Sequence, residues 1–510
     1  MSFTDRPSYR TAAPMADFDA RALAASLAEI IGPDRVLYGP EARRRHPGDM
    51  SWLTYVHAQH GRPLNGQDVV ASPRSTREVA DILKLAARMK VPVTPAGGAS
   101  GVQGAANATC GGILLDLRSM TRVRHLDRRS LTCTVEAGMI VKTFEEQLNA
   151  QGLSFTHYPA SAEWASIGGC VAARGSGVLS TKYGTIQDHV LSAEVVLADG
   201  DIVQLPALPR HGVGPELTQL FVGSEGTLGV VTAVTVRLRH LPAHRKFAAY
   251  RFDDLARGIE AGRRMMTSGV RPAVMRLYDR EAAIHSLERA VSAGLDGETM
   301  IVMFDGDHPT LVDAESAVCR DICAGEGARE LRAGIGESWW DKRYVFYYPP
   351  HAPQLPQIWC TMDVAADFTR IEAVYRNVTR AMREAVDPSW GMTVKTHLSH
   401  WYDWGSMIYP RFGIPKGPDD LDAALDLHDA IVRAATLAAI EAGGVINDHH
   451  GVGMRLAPFL EQQFGPTGMR LLRRIKHGLD PDHVLCPGKL ALHPDGQGAR
   501  PTVVPAARTP

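Results

Sequence analysis

Residues 166–203, SIGGCVAARGSGVLSTKYGTIQDHVLSAEVVLADGDIV, constrain this chain more than any other stretch. Five glycines fall between Gly168 and Gly184, with alanine, serine and valine among them. Glycine admits positive φ and lets a bulky ligand come close to the main chain. From His189 the pattern alternates into the apolar run 193–197 and breaks at Asp199-Gly200, a hairpin signal between two apolar segments. A glycine-lined loop feeding a buried strand pair suits a large flat ligand. Taken alone, the stretch reads equally well as a tight turn region with no ligand.

Two other segments bear on that choice. TPAGGASGVQG, 94–104, follows a helical pattern over 78–90 and a short strand over 92–94. Exposed backbone N–H groups in such a loop form an anion-binding nest, which suits a pyrophosphate. It matches neither the GxGxxG dinucleotide spacing nor a phosphate loop ending in Gly-Lys-Ser/Thr. GSEGTLG, 223–229, precedes the β-rich run VVTAVTVRL. Three glycine loops, each beside a strand, are hard to explain as turns.

In order and spacing, over roughly 68–241, these segments resemble the FAD-binding half of the vanillyl-alcohol-oxidase-like flavoproteins, or FAD-linked oxidases. The resemblance implies an α+β fold in which two subdomains hold FAD. Its pyrophosphate would lie on Pro95, Ala96, Gly97, Gly98, Ala99, Ser100 and Gly101. Ser166, Gly168, Gly169, Ser176 and Gly177 would run along the isoalloxazine and ribityl side. Tyr183, Ile186, Glu225, Gly226 and Gly229 would close the site around ring and adenine. Some relatives tether FAD through a histidine in the first glycine loop. Here Ala99, Ser100 and Gly101 leave none, so the FAD is expected to be non-covalent.

A length of 510 residues allows two or three domains and a large core. The net charge of −1 gives no electrostatic case for nucleic acid or a membrane surface. The N-terminus lacks the apolar core of a secretory signal, and no apolar run is long enough to span a bilayer. Seven cysteines, odd in number and scattered, read as reduced thiols, so a cytoplasmic location is expected. A homodimer is left open.

The FAD-binding domain is expected over 1–242, with a flexible arm at 1–17 and a helix over 19–31 ended by Gly32-Pro33. Arg43, Arg44 and Arg45 read as a solvated face, and Ser75-Thr76-Arg77-Glu78 as a capping run that opens the first strand–helix unit. After Pro242 the texture changes. Strands over 247–252, 273–278 and 299–304 alternate with helices over 253–268, 280–293 and 308–324. This reads as an α/β, ferredoxin-like cap over 243–455 that roofs the flavin. Further helical material is expected over 355–386 and 419–442. A C-terminal helical segment, 456–492, would return to the FAD domain ahead of a disordered tail at 493–510.

The informative polar residues lie in the cap. KTHLSHWYDWGSMIYPRFG, 395–413, gathers His397, His400, Tyr402, Asp403, Tyr409 and Arg411. INDHHGVG, 446–453, sets Asp448, His449 and His450 beside two glycines. Histidine titrates nearest neutral pH and is the usual general acid or base. The same residues also read as structural histidines at an interdomain seam. HLSHWYDWGSMIY followed by DHHGVG and a closing PGKL resembles the alkyldihydroxyacetonephosphate synthases. The resemblance implies a reactive tyrosine at Tyr409, histidines before Gly-Val-Gly at His449 and His450, and a substrate-binding arginine at Arg276 in PAVMRLYD. The first of three family histidines is Asp448 here, and a second family arginine would fall in YYPPHAP, 347–353, which has none. With one clamp missing, a mono-anion suits the site better than a phosphorylated ketone.

The related D-lactate and glycolate dehydrogenases often hold a divalent metal with a histidine segment and a Glu-His-Gly loop. This chain lacks their His-x-Gly-Asp-Gly-Asn segment, so no metal is assigned, although Asp448 could supply a ligand. The expected function is an FAD-dependent oxidoreductase that takes a hydride from the hydroxyl-bearing carbon of a small anionic substrate. Arg276 would anchor the anion, His450 or His449 take the proton, and Tyr409 and His397 assist. The alternatives are alkyl transfer of the synthase type and a flavoprotein subunit without turnover.

Overall fold

The computed structural model describes residues 18–208, 211–332, 334–344 and 355–493. The arm at 1–17, the tail from 494 and the YYPPHAP segment lie outside the described residues. The first helix, Ala20–Ile31, is started by Asp19, whose carboxylate accepts the Arg21 N–H at 2.8 Å, and it stops at Gly32 with φ +88°. Four strands follow: β1 (Val36–Tyr38), β2 (Val69–Ala71), β3 (Val93–Ala96) and β4 (Ile113–Asp116). They form a sheet in the order β1-β2-β4-β3, with β2 and β3 parallel to β4. The helix Thr76–Met89 makes the crossover, capped by the Ser75 hydroxyl on the Glu78 N–H. Its apolar face, including Val79, Ile82, Leu83 and Ala86, joins Leu23, Leu27, Val69 and Ile113 in one core. The arginine run is on the helix Pro40–Arg45, where Arg43 pairs with Asp68 and Arg44 and Arg45 pair with Glu41.

The second sheet takes β5 (Val123–Asp127), β6 (Thr132–Glu136), β8 (Val190–Val196), β9 (Ile202–Gln204) and β10 (Val230–Arg237) in the order β5-β6-β10-β8-β9. Between them β7 (Leu153–Ser154) pairs with β11 (Arg239–His240). The Asp199-Gly200 turn joins β8 to β9 as read, with Gly200 at φ +86°.

The cap carries β12 (His244–Phe252), β13 (Val274–Tyr278), β14 (Glu298–Gly306), β15 (Arg329–Glu330), β16 (Ile358–Thr361), β17 (Val364–Asp367), β18 (Thr393–Trp401) and β19 (Gly405–Ile414). The order is β15-β12-β14-β13-β18-β19-β16, with β17 also on β19, and every pairing is antiparallel. The first four strands have the ferredoxin-like order. The antiparallel pairing makes the cap α+β, which corrects the α/β expectation. A second correction concerns 355–386: β16 and β17 precede the helix Ile371–Glu384. Short apolar runs cannot be told from buried helix by period alone.

Strand alternation sorts the cap's side chains. Met275, Leu277, Leu398, Ile408 and Phe412 join the core made with the cap helices. Tyr278, His397 and Tyr409, successive cross-strand partners, lie on the opposite face. That face turns toward the FAD half, where the Tyr183 hydroxyl donates to Asp305 at 2.7 Å and Lys182 lies 3.3 Å from the same carboxylate.

The chain returns to its beginning after the helix Leu460–Leu479. Val93 donates to the Val484 carbonyl and accepts from Cys486, so the C-terminal segment extends β3's sheet. A buried ion pair secures the junction. Lys476 Nζ donates to the Thr227 carbonyl at 2.7 Å and the Leu485 carbonyl at 2.8 Å, and pairs with Asp480. Removing one partner of such a pair leaves a buried charge and costs about 3–5 kcal/mol. Lys476→Ala should therefore lower the free energy of unfolding measured in urea by that order; an unchanged midpoint and slope would show that the pair carries no stability.

Candidate active site

The first glycine loop is set by packing before any ligand is considered. A Cβ on Gly98 would lie 1.5 Å from the Trp164 carbonyl oxygen, and one on Gly97 would lie 2.0 Å from Ser166 Oγ. Ser166 caps the helix Ile167–Ala173 by accepting the Gly169 N–H at 3.2 Å, and the Gly98 N–H approaches the same oxygen at 3.4 Å. The loop's far end is held at one residue. Asp49 accepts the Gly104 N–H, and Lys489, in the closing PGKL, donates to the Gly104 carbonyl, both at 2.6 Å. The sequence reading did not single out either charge as a support for this loop.

A cavity of ≈ 270 Å³ opens between this loop and the cap. Its wall includes Pro95, Ala96, Gly97, Gly98, Ala99, Ser100, Gly101, Ser166, Gly168, Gly169, Ser176, Glu225, Gly226 and Gly229 from the FAD half. Arg276, His400, Met407, Tyr409, His449 and His450 face them from the cap. Four expected site residues lie elsewhere. Gly177 packs on the Tyr158 backbone, Tyr183 holds Asp305, Ile186 is fully buried, and His397 stacks behind Tyr409 at 4.8 Å between ring centroids.

Glu225 takes a left-handed φ of +52° and turns its carboxylate to the backbone N–H groups of Val452 and Gly453. Burial pushes it up to about 7, against the pull of those two N–H groups. It thus ties the third glycine loop to the histidine loop. Gln103 makes a parallel tie. Its carbonyl accepts the Met454 N–H at 2.8 Å, and its Oε1 accepts Arg455 Nε at 2.7 Å.

The histidine loop is built around Asp363, a residue with no motif to mark it. Its fully buried carboxylate accepts the N–H groups of Asp448 (3.1 Å), His449 (2.7 Å) and His450 (3.0 Å), and the Asn447 amide (3.1 Å). His450 Nδ1 lies 2.8 Å from its Oδ1. Burial would raise this carboxyl, but the two imidazoles and the loop N–H groups hold it well below the usual range. Ligand-type atoms of Asp363, His449 and His450 lie within 4.8 Å of one another. Both Asp363 oxygens already accept N–H groups, so the cluster is wired as a hydrogen-bonded anchor for the loop.

The two histidines are pushed in opposite directions. His449 is raised: burial opposes it, but Asp363 and the bond to Asp448 at 3.0 Å outweigh burial. His450 is lowered, chiefly by burial, with the His449 charge adding to it and Asp363 resisting. His397 and His400 are both held well below the ordinary value, first by burial. Asp448 also accepts the Tyr402 hydroxyl at 2.7 Å. Arg276 lies 5.4 Å above the Trp339 ring.

The chemistry of the wall fits FAD. Gly97, Gly98 and Gly168 leave no room for side chains, and one buried polar atom on the wall, Gln103 Nε2, has no hydrogen-bond partner among the described residues. Polar atoms so buried are ordinarily paired, so a ligand is the missing partner. Residues 67–206 match the FAD binding domain family, and residues 241–490 match the C-terminal domain of the FAD linked oxidases. The chain belongs to the FAD-linked oxidases. It is an enzyme and its cofactor is FAD. It is 30% identical to an Arabidopsis thaliana mitochondrial D-lactate dehydrogenase (cytochrome), over 84% of this chain and 76% of that one. It is 26% identical to a Trypanosoma brucei brucei alkyldihydroxyacetonephosphate synthase, over 94% of this chain and 82% of that one. A solved alkyldihydroxyacetonephosphate synthase superposes with a TM-score of 0.75 at 23% identity, over 94% of this chain and 86% of that one. p-Cresol methylhydroxylase superposes with a TM-score of 0.76 at 15% identity, over 95% and 99%. Among the described residues no helix is long and apolar enough to cross a membrane.

Two outcomes follow for the cofactor. Gly98→Val should yield protein without FAD, because its side chain would displace the Trp164 carbonyl and with it the loop. Acid precipitation of the native protein should release all flavin to the supernatant. Stoichiometric FAD in the variant, or yellow colour in the washed pellet, would contradict the respective claim.

Proposed function

We propose that this FAD-linked oxidase oxidises the hydroxyl-bearing carbon of a small organic anion of the 2-hydroxy-acid kind. The observation that carries the reading is the adjacent pair His449 and His450, with ring centroids 4.3 Å apart and opposite shifts, on the wall that also presents Arg276 and Tyr409. Titratable neighbours driven apart in this way can divide acid and base roles.

Arg276 holds the substrate's anionic group against the cap. His450, neutral because it is buried, accepts the proton of the substrate hydroxyl. His449, kept protonated by Asp363 and Asp448, stabilises the negative charge that develops on that oxygen. Tyr409, 5.5 Å from His450 between ring centroids, orients the hydroxyl. Bound FAD supplies the hydride acceptor. The cap over the cavity limits water at the reacting carbon.

The similarity to synthases favours a second reading, alkyl transfer without net oxidation. Anaerobic bleaching of the flavin by 2-hydroxy acids supports the first reading. A spectral adduct formed only with acylated dihydroxyacetone phosphate supports the second.

The pH dependence of flavin reduction should be bell-shaped. The rate requires His450 deprotonated, so it falls at acid pH with a limb below about 6.5, the ordinary imidazole value. It also requires His449 protonated, so it falls at alkaline pH with a limb above that value. His450→Ala should slow reduction about a hundred- to ten-thousandfold and leave FAD bound. Arg276→Ala should raise KM about ten- to a hundredfold with a smaller change in kcat. A flat profile, or both variants reducing at the native rate in stopped flow, would remove these roles.

A further inference from the structure

One cluster of reactive side chains lies outside the site already described. Cys360 on β16 meets the buried guanidinium of Arg455, whose Nη1 donates to its sulfur, and the imidazole of His428. His428 comes from the helix Leu421–Glu441 and bonds the Asp429 carboxylate through Nδ1 at 3.0 Å. The Trp52 ring, on the helix Trp52–Gln59, stacks over that imidazole at 4.7 Å between centroids. Segments far apart in sequence thus bring together a thiol, an imidazole with its own acid, and a cation. The hydride-transfer mechanism uses none of them.

Charge sets this thiol apart. Burial pushes Cys110 up to about 11, and Cys133, Cys170 and Cys486 up to about 12. Burial acts on Cys360 too, but Arg455 and His428 outweigh it and hold the thiol below its ordinary value. His428 moves the opposite way: burial opposes it, yet Asp429 and Cys360 raise it to about 9. The pair favours thiolate and imidazolium.

A second observation falls at the same place. A cavity of ≈ 10 Å³ adjoins the cluster, and Ser51, Trp52, Trp359, Cys360, His428 and Arg455 contribute to its wall. That is about the room one water needs, and hydrogen peroxide exceeds water by a single oxygen. Cys360 keeps 4% of its surface exposed. Arg455 connects the sulfur to the cofactor wall. Its Nε donates to Gln103 Oε1 at 2.7 Å and its Nη2 to the Thr361 carbonyl at 2.8 Å. Gln103 in turn lines the large cavity and carries the wall atom, Nε2, that a ligand would satisfy.

We infer that Cys360 is a modification site for hydrogen peroxide, and that its oxidation to sulfenic acid weakens the hold on FAD. The thiolate attacks one peroxide oxygen; an S–O bond forms and the O–O bond breaks. Sulfur gives up two electrons, and the leaving hydroxide takes the His428 proton and departs as water. A neutral sulfenic acid then stands where a negative charge faced Arg455. A buried guanidinium that loses a compensating charge is destabilised, so the tie to Gln103 slackens. Added thiol reverses the change. The inference holds whichever reaction the flavin carries out, because its readout is cofactor retention.

The test uses the FAD-loaded enzyme. Hydrogen peroxide is added and removed with catalase, and one sample is unfolded in urea containing dimedone, which tags sulfenic acid. Mass mapping should find the tag on Cys360 ahead of every other cysteine. A second sample, kept folded, should show an FAD dissociation constant raised about tenfold or more, the scale of one charge-assisted contact. Dithiothreitol should restore it. Cys360→Ser should lose the peroxide response, and His428→Asn, which keeps the thiol but not its proton donor, should be tagged more slowly. Tagging of other cysteines first, a tagged Cys360 with unchanged FAD affinity, a response that persists in Cys360→Ser, or tagging of His428→Asn at the native rate would overturn the inference.

Discussion

The site depends on one buried carboxylate. Asp363 sits between β16 and β17 with no exposure, where an unpaired charge would cost several kcal/mol. It is stabilised by three consecutive backbone N–H groups, an amide and two imidazoles. Those partners are the histidine loop itself. The same charge that anchors the loop to the cap sheet also sets the loop's electrostatics. His449, with Asp448 as a second acid, rises against burial, whereas His450 falls because burial and the His449 charge outweigh Asp363. Structure and protonation therefore have a common cause, and the loop cannot be moved without changing both.

The loop is equally committed to the FAD half. Glu225 takes two of its N–H groups, and the Gln103 carbonyl takes the next. Arg455, almost fully buried, spans from Gln103 to the Thr361 carbonyl on β16. A Cβ on Gly453 would lie 2.1 Å from the Gln103 carbonyl oxygen, so that close contact requires glycine at φ +54°. The cofactor loop, the histidine loop and the cap edge are thus one hydrogen-bonded body. The side chains of the histidine loop are thereby held in one arrangement against the cofactor loop.

Much of the FAD half was legible because its determinants are local. Ser75 before a helical period, Asp199-Gly200 between apolar runs and glycines beside strands each act within a few residues. The cap hairpin was not legible. HLSHWYDWGSMIY showed its chemistry but not its alternation, so His397 was grouped with the cavity residues although Tyr409 stands between them. Tyr183 beside a glycine looked like a ring contact, whereas its hydroxyl meets Asp305 from 122 residues away. Asp49, Asp363 and Lys489 likewise act on backbone groups 55, 86 and 385 residues away, and Gln103 on that of Met454. Spacing holds no record of such contacts. His450 next to two glycines was readable; the acid that holds it was not.

The departure at Asp448 has a physical meaning once its partners are known. A histidine there could offer His449 no negative charge, whereas Asp448 accepts both the Tyr402 hydroxyl and His449 Nδ1. Asp448 therefore helps to raise His449, while His450 is lowered by burial and by the His449 charge. Three histidines would have to share the one charge of Asp363; two histidines and a second acid need not. A fixed cation beside a neutral base suits removal of a proton from an oxygen that must carry negative charge as its carbon is oxidised. The residue that departs from the synthase pattern thus adds the asymmetry on which the proposed oxidation chemistry rests.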